Sequence, residues 1–401
     1  MAAIRGLALR VVSDSRGEPT VEAEVRTSRA SGRAAAPSGA SRGRWEAAVV
    51  APALALRRAR EARLEAKLRG FSSSDQEGVD ALLHRLDGTR NLGRLGGNLA
   101  IAVSLAAAKA AAASEGLPLW RFLSPGMERP HLPLPLGNVI NGGKHADSGP
   151  DIQEFLAAPV GARAASRAVF ANAAVHREAG ARLRRMGLEF GKGDEGGWAP
   201  SRITTQEALG VLQASARKVQ RQTGISIAPA LDVAASSLWD GRAYRYRNGA
   251  KSPGAQAGFM ASLARRHRLA YLEDPLEEED FEGFAEVTRA VGRRTLVCGD
   301  DLFVTSAVRI ERGARMGAGN CVLIKPNQAG TLTDTRLAVD AARRRGYEIA
   351  VSHRSGETTD ETIAHLAVAW RARFIKTGIA GGERIAKLNE LIRIHEGRGT
   401  G

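Results

Sequence analysis

Apolar and polar positions follow two different rhythms along this chain. Leu7 to Val12 and Thr20 to Val25 have the composition of strands, and Asp14-Ser15-Arg16-Gly17-Glu18-Pro19 between them is a turn signal. Ala-, Leu- and Arg-rich stretches from about Glu46 to Arg69 and from Asn98 to Glu115 predict helices. Strands first and helices afterwards indicate an α+β domain over residues 1–125. Pro130-His131-Leu132-Pro133-Leu134-Pro135 reads as a linker into a second domain, residues 130–401.

Beyond the linker, short apolar runs recur and each ends in a charged residue. They are Ile227–Leu231 before Asp232, Leu269–Leu272 before Glu273, Thr295–Gly299 before Asp300, Cys321–Ile324 before Lys325, Ile349–Ser352 before His353-Arg354, and Phe374-Ile375 before Lys376. The ending residues stand 41, 27, 25, 28 and 23 positions apart, and each interval holds a helical pattern such as Thr333 to Arg345. About 25 residues accommodate one strand, one helix and two loops, and near-continuous apolar strands belong to parallel sheets buried on both faces. The repeat predicts a (β/α)-barrel, with its site at the C-terminal ends of the strands. The fold class is therefore α/β, a C-terminal (β/α)-barrel with an N-terminal α+β capping domain.

Composition narrows the function. The 401 residues, 43% apolar, suffice for two domains or a barrel with a cap. The two cysteines, Cys298 and Cys321, lie in apolar runs and read as reduced core residues. Arg5 and Arg10 interrupt the first apolar run, so no signal peptide is expected. Leu99 to Ala113, with Ser104 and Lys109, reads as a buried helix rather than a membrane span, and a cytoplasmic protein is expected. The net charge of +15 comes without a stacking motif, zinc finger or helix-turn-helix, so neither nucleic acid nor membrane is an expected partner.

The charged strand ends carry the chemistry. Asp232, Glu273 and Asp300 would converge at one barrel mouth, where three unpaired carboxylates repel one another unless a hard cation joins them. Oxygen ligands without His or Cys favour Mg²⁺ over Zn²⁺. Lys325 and Lys376 face the acids, and burial with neighbouring cations is expected to lower their pKa, as suits a base. Arg354 offers a planar fork for phosphate or carboxylate, and Ser355-Gly356 permit close backbone approach to an anion. Two further polar segments, Asn141-Gly142-Gly143-Lys144-His145-Ala146-Asp147 and Gly191-Lys192-Gly193-Asp194-Glu195-Gly196-Gly197, taken alone read as turns.

In chain order, Asp14-Ser15-Arg16-Gly17, Pro37-Ser38-Gly39-Ala40-Ser41, Asn141-Gly142-Gly143, Asp151-Ile152-Gln153-Glu154-Phe155, Gly193-Asp194-Glu195-Gly196-Gly197, Leu272-Glu273-Asp274-Pro275, Gly299-Asp300-Asp301-Leu302, Ile324-Lys325-Pro326-Asn327-Gln328, Ser352-His353-Arg354-Ser355-Gly356-Glu357 and Ile375-Lys376-Thr377-Gly378 resemble the enolase family. The resemblance spans nearly the whole chain. It implies a Mg²⁺-dependent lyase converting 2-phosphoglycerate to phosphoenolpyruvate, the superfamily pattern of a lysine base with Mg²⁺. It implies Asp232, Glu273 and Asp300 as ligands of one Mg²⁺ and Ser41, on a lid loop, as a ligand of a second together with substrate. It implies Lys325 as the base, Glu195 supported by Glu154 on the acid side with His145, and His145, Gln153, His353, Arg354, Ser355 and Lys376 as contacts to a small phosphorylated carboxylic acid. It implies a homodimer or higher oligomer, with Glu22 and Arg393 at the interface.

The lid departs from the family: Arg42 follows Ser41, Glu46-Ala47-Ala48-Val49-Val50-Ala51-Pro52 lacks the usual Arg-Asp-Gly-Asp, and Ser237-Leu238 replaces Ser-Glu. Arg42 and the charge of +15 suggest an alternative, an enzyme of the carboxyphosphonoenolpyruvate synthase type handling a second anion. A binding protein derived from an enolase is a third reading.

Overall fold

The computed structural model describes residues 2–39, 43–143 and 149–397. At the N-terminus β1 (Ile4–Ser13), β2 (Pro19–Thr27) and β3 (Ser31–Ala35) form an antiparallel sheet in that order. The β1–β2 turn is tied by Asp14, whose Oδ1 accepts from the backbone N–H of Arg16 and Glu18, each at 2.9 Å. The sheet buries Val21, Ala23 and Val25. Helix Gly97–Ser114 packs on β2 and β3. That helix is long and apolar enough to cross a membrane, but 83% of it is buried inside the protein. Its Ser104 Oγ accepts from Leu332 N in the barrel, 2.9 Å away.

One expectation fails here, and one strand carries no signal in the sequence. The segment 46–69 is not one helix: it has no helical residue before Pro52, then forms Pro52–Glu61, breaks at Arg63 with φ 55°, and resumes as Leu64–Leu68. Pro52 lacks the N–H that a helix interior needs and so fits only at its start. The strand β3 was also not foreseen, because Ser31-Gly32-Arg33-Ala34-Ala35 contains no β-branched or aromatic residue.

The rest of the chain closes an eight-stranded barrel. It begins with β4 (Leu134–Asn141) and β5 (Glu154–Ala158), beyond which the hairpin β6 (Phe190–Lys192) and β7 (Trp198–Pro200) extends outward from β4. It continues with β8 (Ala228–Asp232), a surface hairpin of β9 (Tyr244–Tyr246) and β10 (Gly249–Lys251), and then β11 (Tyr271–Glu273), β12 (Leu296–Gly299), β13 (Cys321–Ile324), β14 (Glu348–Ser352) and β15 (Phe374–Lys376). Pairing of β15 with β4 closes the ring. All six strands expected after residue 225 are present. The linker is shorter than expected, since Leu134 and Pro135 already belong to β4. The opening also departs from a pure βα repeat, because β5 runs antiparallel to both β4 and β8.

The lower barrel interior is filled by a layer including Leu134, Leu156, Ala230, Tyr271, Cys298, Cys321, Leu323 and Phe374. Both cysteines are free and buried, as expected. A larger core runs between strands and helices and continues without a break into the N-terminal domain.

Candidate active site

Strand direction explains why these side chains meet. Asp232, Glu273 and Lys376 are the last residues of β8, β11 and β15, and Asp300, Lys325 and His353-Arg354 directly follow β12, β13 and β14. Glu154 is the first residue of β5, and because that strand is reversed it lies opposite Asp232 at the same end. Glu195 comes from the loop joining β6 to β7. Together with Gln153 and Ser355 these residues, Glu273 excepted, line one cavity of about 50 Å³. Ser41, Arg42 and His145 lie outside the described residues.

Opposite charges interleave across this mouth. Lys376 Nζ lies 2.7 Å from Asp232 Oδ2, 2.9 Å from Glu273 Oε1 and 3.2 Å from Glu154 Oε2. Lys325 Nζ donates to Asp300 Oδ2 at 2.5 Å. The expected lowering of the lysine pKa values is reversed: burial depresses both, but the carboxylates beside them outweigh it and hold both ammonium forms. Burial, then Asp232, pushes Glu273 up to about 8. Burial, then Glu195, raises Glu154 well above the usual carboxyl range, so Glu154 keeps its proton beside Glu195.

His353 fixes the other side of that pair. Its Nδ1 is 2.7 Å from Arg384 Nη1, a group that only donates, so Nδ1 accepts and the proton resides on Nε2. Nε2 in turn lies 3.1 Å from Glu195 Oε2. Burial depresses His353 to about 4, which keeps the ring neutral at pH 7. Arg384, fully buried, also donates to the carbonyls of Arg354, Ser355 and Asp194, binding the loop after β14 to the loop that carries Glu195.

Three functional residues escaped sequence reasoning. Arg384 sits inside helix Gly382–His395 and resembles any helical arginine. Glu46 is buried and grips Arg354, with Oε2 to Nη1 at 2.8 Å and Oε1 to Nη2 at 3.1 Å. Asp274, with φ 39°, accepts the N–H of Asp300 on Oδ1 and of Asp301 on Oδ2, each at 2.9 Å. Its place beside Glu273 in the Glu-Asp-Pro motif was the available signal.

Among the described residues, Asp274, Asp300 and Asp301 bring carboxylate oxygens within 4.8 Å of one another and could hold a metal ion. Both oxygens of Asp274 are already engaged by backbone N–H groups, which marks it as a brace for Asp300. Asp232 and Glu273 instead turn an oxygen each to the Lys376 ammonium. An all-carboxylate donor set balanced by ammonium groups fits a hard divalent cation.

Comparisons with known proteins agree over both halves of the chain. The family described as Enolase, C-terminal TIM barrel domain, matches residues 129–401, and Enolase, N-terminal domain, matches residues 4–123. The enolase of Natronomonas pharaonis is 51% identical over 98% of this chain and 99% of its own length. That of Methanocorpusculum labreanum is 52% identical over 99% of this chain and 100% of its own. That of Archaeoglobus fulgidus is 51% identical over 96% of each.

Proposed function

This chain belongs to the enolase family and is a phosphopyruvate hydratase that reversibly dehydrates 2-phosphoglycerate; we propose how its barrel mouth divides the work. Asp232, Glu273 and Asp300 would hold one Mg²⁺ and Ser41 would help hold a second, and the bound cations would supply positive charge against the negative charge that develops on the substrate carboxylate. Arg354, Ser355, Gln153, His145, His353 and Lys376 receive the phosphorylated acid. With Asp300 committed to a cation, Lys325 would lose the carboxylate that chiefly holds its proton, and as the neutral amine it takes the proton from carbon 2. The carbon–oxygen bond at carbon 3 then breaks, and hydroxide leaves as water with a proton from the Glu195–Glu154 pair, forming phosphoenolpyruvate. Neither a second anionic substrate nor conversion to a binding protein is needed to account for the site.

The observation that carries this assignment is the separation of two proton-handling groups. Lys325 stands on the Asp300 side, and Glu195 stands between Glu154 and the Nε2–H of His353. The test is isotope exchange at carbon 2 beside product formation. Lys325→Ala is expected to lose both, whereas Glu195→Gln keeps exchange and loses elimination; the opposite pattern would swap the roles. The working form is a cytoplasmic homodimer or higher oligomer in glycolysis. The oligomer rests on the family resemblance at Glu22 and Arg393, which line one groove of about 850 Å³ between the two domains.

A further inference from the structure

The layer beneath the mouth is made of leucines, alanines, two cysteines, Phe374 and one phenol, Tyr271. Tyr271 is 0% exposed, and its ring meets Phe374 edge-on with centroids 5.8 Å apart. Phenylalanine would fill that space without burying a hydroxyl, and burying an unpartnered hydroxyl is costly. Here the hydroxyl has a partner: Tyr271 Oη donates to Glu273 Oε2 at 2.6 Å. The two residues are i and i+2 on β11, so both side chains enter the barrel, one above the other. With Oε2 held from below, Glu273 presents Oε1 upward, where it meets Lys376 Nζ at 2.9 Å beside Asp232.

Resting on the reading of Glu273 as a cation ligand, we propose that Tyr271 is a positioning residue that pins one oxygen of Glu273, leaves the other to face the cation, and thereby favours a small octahedral cation such as Mg²⁺ over Ca²⁺. A carboxylate fixed at its far oxygen cannot swing to offer both, and two-oxygen ligation is what the larger, more flexible coordination of Ca²⁺ exploits. Groups that orient a ligand from behind typically change metal affinity about tenfold to a hundredfold when removed.

The test titrates Mg²⁺ and Ca²⁺ separately against the unsubstituted protein, Tyr271→Phe and Glu273→Gln without substrate, reading Kd from the cation-dependent rise in Tm. Tyr271→Phe is expected to weaken Mg²⁺ binding about tenfold or more and Ca²⁺ binding less, so that the preference for Mg²⁺ narrows. Loss of binding in Glu273→Gln with unchanged constants in Tyr271→Phe overturns the proposal and leaves the ligand assignment standing. Unchanged binding in Glu273→Gln overturns the ligand assignment and the proposal with it. Should Tyr271→Phe fail to fold, the unsubstituted protein labelled with 3-fluorotyrosine replaces it. The Tyr271 resonance then moves with Mg²⁺ at the same Kd, and a resonance that stays fixed overturns the proposal.

Discussion

His176 shows how a single side chain outside the chemistry bears on it. Its ring stacks on Trp198 at 4.4 Å, and its Nε2 lies 2.9 Å from the carbonyl oxygen of Gly196, next to Glu195. Burial depresses its pKa to about 4. The folded value is below that of the unfolded chain, so the unfolded chain binds more protons between the two. The contribution to stability is complete above about pH 6.5 and is lost as pH falls toward 4. A loss of about 2 kcal/mol is expected between pH 7 and pH 5, and urea unfolding of His176→Gln should lack that part of the slope. An unchanged slope would remove His176 from the account. Glu46 makes a second case. Its ion pair with Arg354 leaves each side chain 5% exposed, and its Oε1 also accepts from Gly43 N at 2.8 Å. Glu46→Ala removes the ion-pair partner of a buried arginine, an expected cost of about 3 kcal/mol by chemical denaturation. Glu46→Met with Arg354→Met should recover most of it; failure to recover would mean that the loss lies in packing. Most of the mouth was legible because a charged residue ending an apolar run is conspicuous. Glu46, Asp274 and Arg384 were not, since their importance comes from partners far away in sequence.

At the scale of elements, the parallel strands could be read because both their faces are buried, which leaves unbroken apolar runs such as Cys321–Ile324. What remained hidden depended on contacts rather than local preference, and β3 shows why. A Cβ on Gly32 would fall 2.2 Å from Ala110 N and 2.4 Å from Ala106 O, so the strand lies directly against the backbone of helix Gly97–Ser114. The glycine that weakens the local strand signal is what permits this approach. Gly32→Ala must push strand and helix apart, with an expected loss of about 1–3 kcal/mol. Gly210 lies within helix Thr205–Thr223, and a Cβ there would meet nothing within 4 Å. Gly210→Ala should therefore stabilise by about 0.5–1 kcal/mol through helix preference alone. Urea midpoints moving in opposite directions would confirm the contrast; equal shifts would mean that contact with the helix backbone is not what selects glycine at position 32.

Across the whole molecule, the two domains share their stabilising contacts. Ser38 N donates to Gly356 O at 2.7 Å, Gly356 N returns a bond to Ser38 O at 2.8 Å, and Ser38 Oγ donates to Asp14 Oδ2 at 2.7 Å. Lys109, on the helix that supports the N-terminal sheet, reaches across to Glu361 Oε1 at 3.1 Å and Asp360 Oδ2 at 3.3 Å. Burial depresses its pKa, but Asp360 and Glu361 outweigh that and raise it, so the ammonium persists. The N-terminal domain also supplies Glu46 to Arg354, so separating the domains would remove the ion pair that grips the substrate-binding fork. With a continuous core and a shared site, the chain should unfold in one transition: far-UV circular dichroism and residual activity should give the same midpoint in urea. Lys109→Ala takes this cation from the half-buried Asp360 and Glu361 and should lower both midpoints together, at a cost of about 1–3 kcal/mol. If activity instead vanished well before the secondary structure, and Lys109→Ala moved only the first event, the domains would be separate folding units and the barrel alone would carry the later transition.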